Sequence, residues 1–356
     1  MCPTLKVHMK NMQEADEEKY LGDQINKNAK HASTISKRRA KGFGIISDII
    51  QILDIIPDAK KRIKMGLLLR QAWFVNSMLV NMEAWHNILQ KDTDVFIKLD
   101  HYLIKKIIGT HSKVPSEMLY LETSAIPIDF ILASRRINFL HHILTRPIHE
   151  LTRRIYEEQK ANPVKGDWCT LVERDLAMVG ITLNENEIST KSKCEFKSIV
   201  KKLIKSATFA ALQSLKLGHT KIRRIMYKQF QTQLYLQSSQ FSLEEISMLF
   251  NMRADTVNGY KKCFSSIYRN DLVCKFLCQE DDSISHAFRC PYLKVGQENT
   301  HILYEDIFSG VQQQKQAVQK FIQLNTTRSA LLTADSAYQG LVLDTATPAP
   351  AGGARV

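Results

Sequence analysis

The sequence predicts a mainly α-helical fold with a small β-hairpin at its N-terminal end. Apolar residues recur at intervals of three and four through most of the chain, which is the period of a helix packed along one face. Proline and glycine interrupt this pattern, as at Pro57 and Gly109, and so divide it into separate helices. The alternation typical of strands occurs at Thr4–Val7 and Glu18–Leu21, and the second of these stretches ends at a Gly-Asp pair.

The helical pattern and its breakers give the order of the elements after the hairpin. The predicted helices are Lys30–Leu53, Asp58–Leu89 as one or two helices, Lys98–Ile108, Ile128–Leu144, Thr145–Tyr156, Asp167–Val179, Lys193–Ala211, Thr220–Leu236, Leu243–Phe250 and Ile307–Leu324. The pattern weakens between Met118 and Pro127. Polar residues from Thr182 to Ser192 predict a linker, and we expect the main domain boundary there.

These elements form six predicted segments. They are a hairpin at 1–26, a helical domain at 27–182, a basic helical domain at 193–270, a cysteine-rich segment at 271–295, a polar helical extension at 296–344 and a tail at 345–356. The tail is expected to be disordered because it is rich in proline, alanine and glycine.

Charge and hydropathy restrict the classes of partner. The 356 residues carry a formal net charge of +13, which favours polyanionic partners such as nucleic acid or an anionic membrane. A membrane-spanning helix needs about 20 apolar residues with few or no charges. The two most apolar stretches, Gly42–Ile56 and Met65–Met82, contain Asp48, Asp54 and Arg70. We therefore expect core helices there and no membrane span.

A group of cysteines near the end of the chain predicts a metal site. The seven cysteines are scattered and odd in number, and no signal-peptide pattern precedes them, which indicates a reducing compartment. Cys274, Cys278, His286 and Cys290 form two close pairs around a short loop. Zinc takes four such ligands in a tetrahedron at about 2.0–2.3 Å, and four protein ligands leave no position for water. The prediction is a structural zinc, and the alternative is a chance cluster of unlinked thiols.

The loop between the two ligand pairs is acidic. Glu280, Asp281 and Asp282 follow the second cysteine, and we expect the Asp281-Asp282 pair to lie in a solvated loop. The cysteine-rich segment is too small to build a hydrophobic core, so the metal would contribute its folding energy. Since the loop is not basic, this segment is expected to position neighbouring helices instead of gripping phosphate.

A first basic cluster lies near the start of the first predicted helix. Lys37, Arg38, Arg39 and Lys41 are close enough in sequence to contact one phosphate backbone. A solvated helix face explains the same residues equally well, so both interpretations stay open.

A second basic cluster predicts phosphate contact more strongly. Lys197, Lys201 and Lys205 recur every four residues, and Arg223 and Arg224 follow. On a helical wheel the lysines point away from an apolar stripe, about 80° wide, that would face the core. The stripe consists of Phe196, Val200, Leu203, Ala207 and Ala210. A plain solvated face is the alternative to phosphate binding.

Several stretches, taken in order, resemble the reverse transcriptases of non-LTR retrotransposons. Glu18–Asp23 resembles the segment that closes the palm of these enzymes and leads into the thumb. Stretches that resemble the family in the same order follow at Leu69–Gln71, Asn81–Trp85, Leu119–Glu122, Ile126–Ile128, Ala133–Arg136 and Asp167-Trp168. The Cys, Cys, His, Cys cluster then lies where these proteins carry a C-terminal zinc knuckle. The resemblance covers roughly residues 15–290.

The resemblance implies a role for each segment. It makes 1–26 the end of a palm-like hairpin, 27–182 a helical thumb and linker bundle, and 271–295 a CCHC zinc knuckle. Tyr20, Leu21, Gly22 and Asp23 then take the position of a primer grip. The implied partners are RNA and DNA, as template–primer or element RNA. The implied location is intracellular, nuclear or cytoplasmic, with the nucleus favoured.

The catalytic pattern of the family does not occur in this sequence. Its polymerases hold two metal ions with palm carboxylates that include a paired aspartate. The adjacent pair here, Asp281-Asp282, lies in the acidic loop, and no nuclease-like set of carboxylates and lysine follows Cys290. We therefore expect no polymerase activity from this chain by itself.

Two functions remain open. The first is a nucleic-acid-binding C-terminal fragment of a retrotransposon RNA-directed DNA polymerase, which assists target-primed reverse transcription in the full-length element. The second is a stand-alone or domesticated nucleic-acid-binding or interaction protein without polymerase activity. A reading frame upstream that encodes a palm with its paired aspartates would favour the first.

Overall fold

The structure is a computed structural model that is mainly helical. It describes residues 6–7, 10–11, 17–20, 23–26, 31–110, 113–182, 184–220, 222–257, 274, 276, 280–281, 283–293 and 302–344. The mainly α fold that the sequence predicts is confirmed. Among the described residues, no helix combines the length and the apolarity needed to cross a bilayer.

Two short antiparallel strand pairs precede the helices. They are β1 (Lys6–Val7) with β2 (Lys10–Asn11), and β3 (Glu17–Tyr20) with β4 (Asp23–Asn26). Tyr20 lies opposite Asp23, so the second connection has two residues, as in a tight hairpin. Those two residues, Leu21 and Gly22, lie outside the described residues. Of the predicted primer-grip set, the structure places Tyr20 and Asp23 at the ends of β3 and β4.

The first compact unit consists of Met1–Ile108 and Pro115–Gln237. Its helices are α1 (Ala32–Asp54), α2 (Ala59–Leu69), α3 (Asn76–Met78), α4 (Gln90–Ile108), α5 (Ser116–Thr123), α6 (Ile128–Leu144), α7 (Leu151–Ala161), α8 (Trp168–Val179), α9 (Glu185–Thr190) and α10 (Lys193–Leu217). A π-helical turn at Arg70–Val75 joins α2 to α3, and 3-10 turns lie at Met82–Ala84 and Leu234–Gln237.

The core around α6 corrects the predicted domain boundary. Helix α6 packs against α7, α8, α9 and α10, and Leu140, Trp168, Phe196 and Val200 belong to one buried cluster. Helix α10, the first helix of the predicted domain 193–270, therefore shares a core with the predicted domain 27–182. The physical reason is that burying the apolar stripe of α10 needs the surface of α6.

The polar stretch predicted as a linker contains a capped helix. The Asn184 side chain accepts a hydrogen bond from the Glu187 backbone N–H at 2.9 Å, and the Glu187 carboxylate accepts one from the Asn184 backbone N–H at 2.8 Å. This capping box satisfies N–H groups that have no partner inside the helix. Ile188, only 1% exposed, anchors α9 to the core beneath it.

The second compact unit consists of Gly109–Val114 and Ser238–Val356. Its helices are α11 (Leu243–Arg253), α12 (Ile284–Ala287) and α13 (Val311–Asp344), with a 3-10 turn at Tyr304–Phe308. Helix α13 packs against α11, α12 and the 3-10 turn. Residues 238–257, predicted to belong with α10, therefore fold with the polar extension. Residues 258–273, which end the predicted basic domain, and the tail at 345–356 lie outside the described residues.

Near the end of the first unit, the predicted helix Thr220–Leu236 is wrong. The described chain there runs in turns until the short 3-10 helix at its end. The carbonyl groups of Ile225 and Tyr227 accept hydrogen bonds from the side chains of Lys216 and Gln213, at 2.5 and 2.9 Å. Because side chains of α10 satisfy these groups, they need no partner in a helix of their own.

Candidate metal centre and basic surfaces

Three of the four predicted ligands form one buried cluster. The ligand atoms of Cys274, His286 and Cys290 all lie within 4.8 Å of one another. The two Sγ atoms are 3.9 Å apart, too far for a disulfide bond of about 2.05 Å. In a tetrahedral site with metal–sulfur bonds of about 2.3 Å, two sulfur ligands are about 3.8 Å apart. The cluster can therefore hold a metal ion. Cys278, the fourth predicted ligand, lies outside the described residues.

Helix α12 and the turn that follows it set the positions of two predicted ligands, His286 and Cys290. The Ser283 hydroxyl accepts a hydrogen bond from the His286 backbone N–H at 3.0 Å and so begins the helix. One turn later, the Cys290 backbone N–H donates to the His286 carbonyl at 2.8 Å. Residues four apart in a helical turn lie on the same face. The His-x-x-x-Cys spacing thus brings both side chains towards Cys274.

Glu280 contacts two of the ligand residues, which the sequence did not reveal. Its backbone carbonyl accepts a hydrogen bond from the Cys274 backbone N–H at 2.8 Å. Its Oε2 atom is 2.9 Å from Nδ1 of His286. The Glu280 side chain is 58% exposed, so it contacts the histidine from the surface. Sequence spacing gives no signal for this contact, because the loop alone determines which acid reaches the histidine.

Aromatic packing attaches the cluster to α13. Phe288 stacks on Phe321 with ring centroids 5.8 Å apart, and its centroid is 6.1 Å from that of Tyr304. Ile284 and Leu293, on either side of the ligand histidine in sequence, are buried as well. A small apolar base therefore holds α12 in place, and a bound metal would fix the loop above it.

In the first basic cluster, Arg38 has a structural role. It is 6% exposed, and its guanidinium donates to the carbonyls of Met78 and Val80 at 2.8 and 2.7 Å. The guanidinium also lies 4.7 Å from the ring centre of Trp85. Its prediction as a phosphate contact is corrected, because all of these contacts hold it inside the first unit. Lys37, Arg39 and Lys41 are exposed.

The second basic cluster has an exposed part on α10. Lys197, Lys201 and Lys205 are exposed and form no ion pair with any residue that the structure describes. We call these three residues the lysine face. An adjacent side of the helix is buried, with Phe196 and Val200 both 0% exposed. Two members of the predicted stripe are less buried than expected, since Leu203 and Ala207 only pack on the edge of the core, and Ala210 is exposed.

The two arginines predicted with the lysine face lie elsewhere. Arg223 and Arg224 are exposed, and the Arg223 carbonyl is 3.5 Å from Nζ of Lys216, in the last turn of α10. At a rise of about 1.5 Å per residue, Lys216 is about 16 Å along the helix from Lys205. The five predicted residues therefore do not form one compact patch.

Comparison of the chain with protein-family models, with curated proteins and with solved structures found no match.

Proposed function

We propose that the chain is a nucleic-acid-binding module whose second compact unit is stabilised by a structural zinc ion. RNA or DNA contacts the lysine face of α10, and zinc is held by Cys274, Cys278, His286 and Cys290. The resemblance to non-LTR retrotransposon reverse transcriptases supports a place for this module in the C-terminal part of such a polymerase. There it would hold element RNA or template–primer during target-primed reverse transcription.

The ligand chemistry favours zinc. Two thiols and one imidazole suit a borderline metal, and hard cations such as Mg²⁺ and Ca²⁺ prefer oxygen ligands. With Cys278 as the fourth ligand, no coordination position would remain for water or substrate, which is typical of structural sites. When bound, the ion would supply folding energy to a segment that is too small to build a hydrophobic core of its own.

The lysine face is the observation that carries the nucleic-acid proposal. Three ammonium groups recur every four residues, so neighbouring ones are about 6 Å apart along the helix axis. Lysine is a compact, strongly hydrated charge that attracts phosphate without reading bases. The buried side of α10 fixes the orientation of the helix, so these charges are presented without a conformational change.

Two buried aspartates are engaged by arginines inside the first compact unit. Asp100 accepts hydrogen bonds from Arg70, and Asp175 accepts one from Arg136. Each carboxylate is 2% exposed or less. Both are committed to internal ion pairs, and so they do not offer free oxygen atoms to a pair of catalytic metal ions.

The salt dependence of binding tests this proposal. Affinity for a single-stranded RNA or DNA oligonucleotide is measured over a range of salt concentrations, for the wild type and for the triple Lys197→Ala, Lys201→Ala, Lys205→Ala variant. Each phosphate contact on a single strand contributes about 0.7 to the slope of log affinity against log salt. We expect the triple variant to bind more weakly to every sequence and to lose about 2 from the slope.

A matched control variant distinguishes an effect of the lysine face from an effect of the protein's net charge. Lys60, Lys61 and Lys64 are exposed on α2, and replacing them with alanine removes the same charge. We expect this control to bind nearly as the wild type does. Equal weakening by both triples, or wild-type affinity in the lysine-face triple, would remove the lysine face as the binding surface.

A further inference from the structure

Glu280 and His286 are in contact although one is exposed and the other is not. The His286 side chain is 3% exposed, and the Glu280 side chain is 58% exposed. The 2.9 Å contact between Glu280 Oε2 and His286 Nδ1 therefore crosses from the surface into the ligand cluster. A buried imidazole nitrogen without a partner would be costly, and this carboxylate provides a partner for Nδ1.

The contact determines which nitrogen of the histidine is available to a metal. An ionised carboxylate only accepts hydrogen bonds, so Nδ1 must carry the hydrogen. In a neutral imidazole the other nitrogen, Nε2, then has the free lone pair. His286 can thus bind a metal through Nε2 without any change of tautomer.

Glu280 also connects the two halves of the cluster through its backbone. Its carbonyl accepts from the Cys274 backbone N–H at 2.8 Å, and its carboxylate contacts the histidine of the second ligand pair. One residue therefore restrains a ligand on each side of the acidic loop. Carboxylate partners of this kind set the orientation and basicity of ligand histidines.

The geometry points to Glu280 as a positioning residue that selects His286 Nε2 as the metal-binding atom and raises the affinity of the site for zinc. This inference rests on the proposed zinc site and adds to it a residue that is not a ligand.

Zinc affinity of the full-length protein tests the inference. Competition with a chromophoric chelator is measured for the wild type, Glu280→Ala, Glu280→Gln and the control Glu305→Ala. Glu305 is an exposed acid of the same compact unit, so its loss removes the same charge away from the cluster. Loss of an outer-shell partner costs about 10–100-fold in metal affinity. We expect that loss for Glu280→Ala, a smaller loss for Glu280→Gln because its amide oxygen still accepts from Nδ1, and none for Glu305→Ala.

The tautomer of His286 gives a second readout that needs no variant. Nitrogen NMR of the zinc-loaded wild type should show a hydrogen on Nδ1 and metal bound at Nε2. Metal bound at Nδ1, or a Glu280→Ala affinity equal to the wild type, would overturn the role of Glu280. A wild type that binds no zinc would instead remove the proposed zinc site itself, so the two failures are distinguishable.

Discussion

Arg70 and Asp100 form an ion pair inside the first compact unit. Nε and Nη2 of Arg70 donate to the two carboxylate oxygens, both at 2.6 Å, and the Tyr120 hydroxyl donates to Asp100 at 2.9 Å. Burial is the largest cause that raises the pKa of Tyr120 well above its ordinary value, so this hydroxyl stays a donor. Arg70 also donates to the Ile126 carbonyl at 2.8 Å. The network holds the π-helical turn against α4 and α5.

Neutralising one partner of this pair should be strongly destabilising. Asp100→Asn leaves a buried guanidinium without its counter-charge, which costs about 3–5 kcal/mol. The control is Glu150→Gln, which removes the charge of a surface pair with Arg146 at 3.5 Å and should cost less than about 0.5 kcal/mol. Urea unfolding of both variants measures the difference. Equal effects would mean that the buried pair does not hold this part of the core.

At the scale of single residues, the sequence predicts candidate metal ligands better than it predicts which side chains hydrogen-bond to each other or to distant backbone groups. The residue types and spacing of Cys274, His286 and Cys290 predict a metal site, and the structure brings the three together in a cluster that can hold a metal ion. The roles of Arg38 and Glu280 depend on atoms that the chain brings near from elsewhere in the fold. Charge alone suggests a solvated or phosphate-binding side chain for Arg38 and gives no partner for Glu280, whereas the structure shows hydrogen-bonding contacts for both.

Two helical glycines differ in the space around them. A Cβ atom on Gly66 of α2 would lie 2.7 Å from Cγ2 of Ile107 and 3.0 Å from Cδ1 of Leu53, both of which are fully buried. A Cβ atom on Gly44 of α1 would meet no atom within 4 Å. The first glycine therefore permits close packing of α2 on α1 and α4, and the second has no packing role.

Opposite effects on stability are expected from the same substitution at these positions. Gly66→Ala should destabilise the protein by about 1–3 kcal/mol, because the added methyl forces Ile107 and Leu53 apart. Gly44→Ala should stabilise it by about 0.5–1 kcal/mol, because alanine loses less backbone entropy in a helix. Thermal unfolding gives the sign of each change. A Gly66→Ala variant as stable as Gly44→Ala would rule out the close approach.

At the scale of elements, apolar periodicity predicts a helix correctly where one face is buried and the other is exposed. It fails for a helix that is buried on all sides and for a stretch that forms turns. The bounds predicted for α6, Ile128–Leu144, agree with the structure because Pro127 and the apolar pattern mark them. Helix α5 was missed, because every residue from Met118 to Thr123 is buried and no polar face gives a period. The stretch 220–236 was predicted helical although side chains of α10 bond its carbonyls, and sequence periodicity cannot show such long-range partners.

The two compact units differ in what holds them together. The first has a continuous apolar cluster around α6 and buried ion pairs, so its described core is complete without a metal. In the second, α13 provides the apolar base, and the ligand cluster lies at the end of a loop whose described residues are largely polar. Metal binding would hold that loop in place. The free energy of metal binding would then contribute to the folding free energy of this unit.

The zinc content of the purified full-length protein tests the metal centre most directly. Elemental analysis after gel filtration in metal-free buffer should find about one zinc per chain in the wild type, as expected for a closed four-ligand site. Cys274→Ser should lose the metal, and Cys194→Ser, which changes an exposed thiol on α10, should retain it. A wild type without stoichiometric zinc, or a Cys274→Ser variant that keeps its zinc, would contradict a zinc site at Cys274, His286 and Cys290.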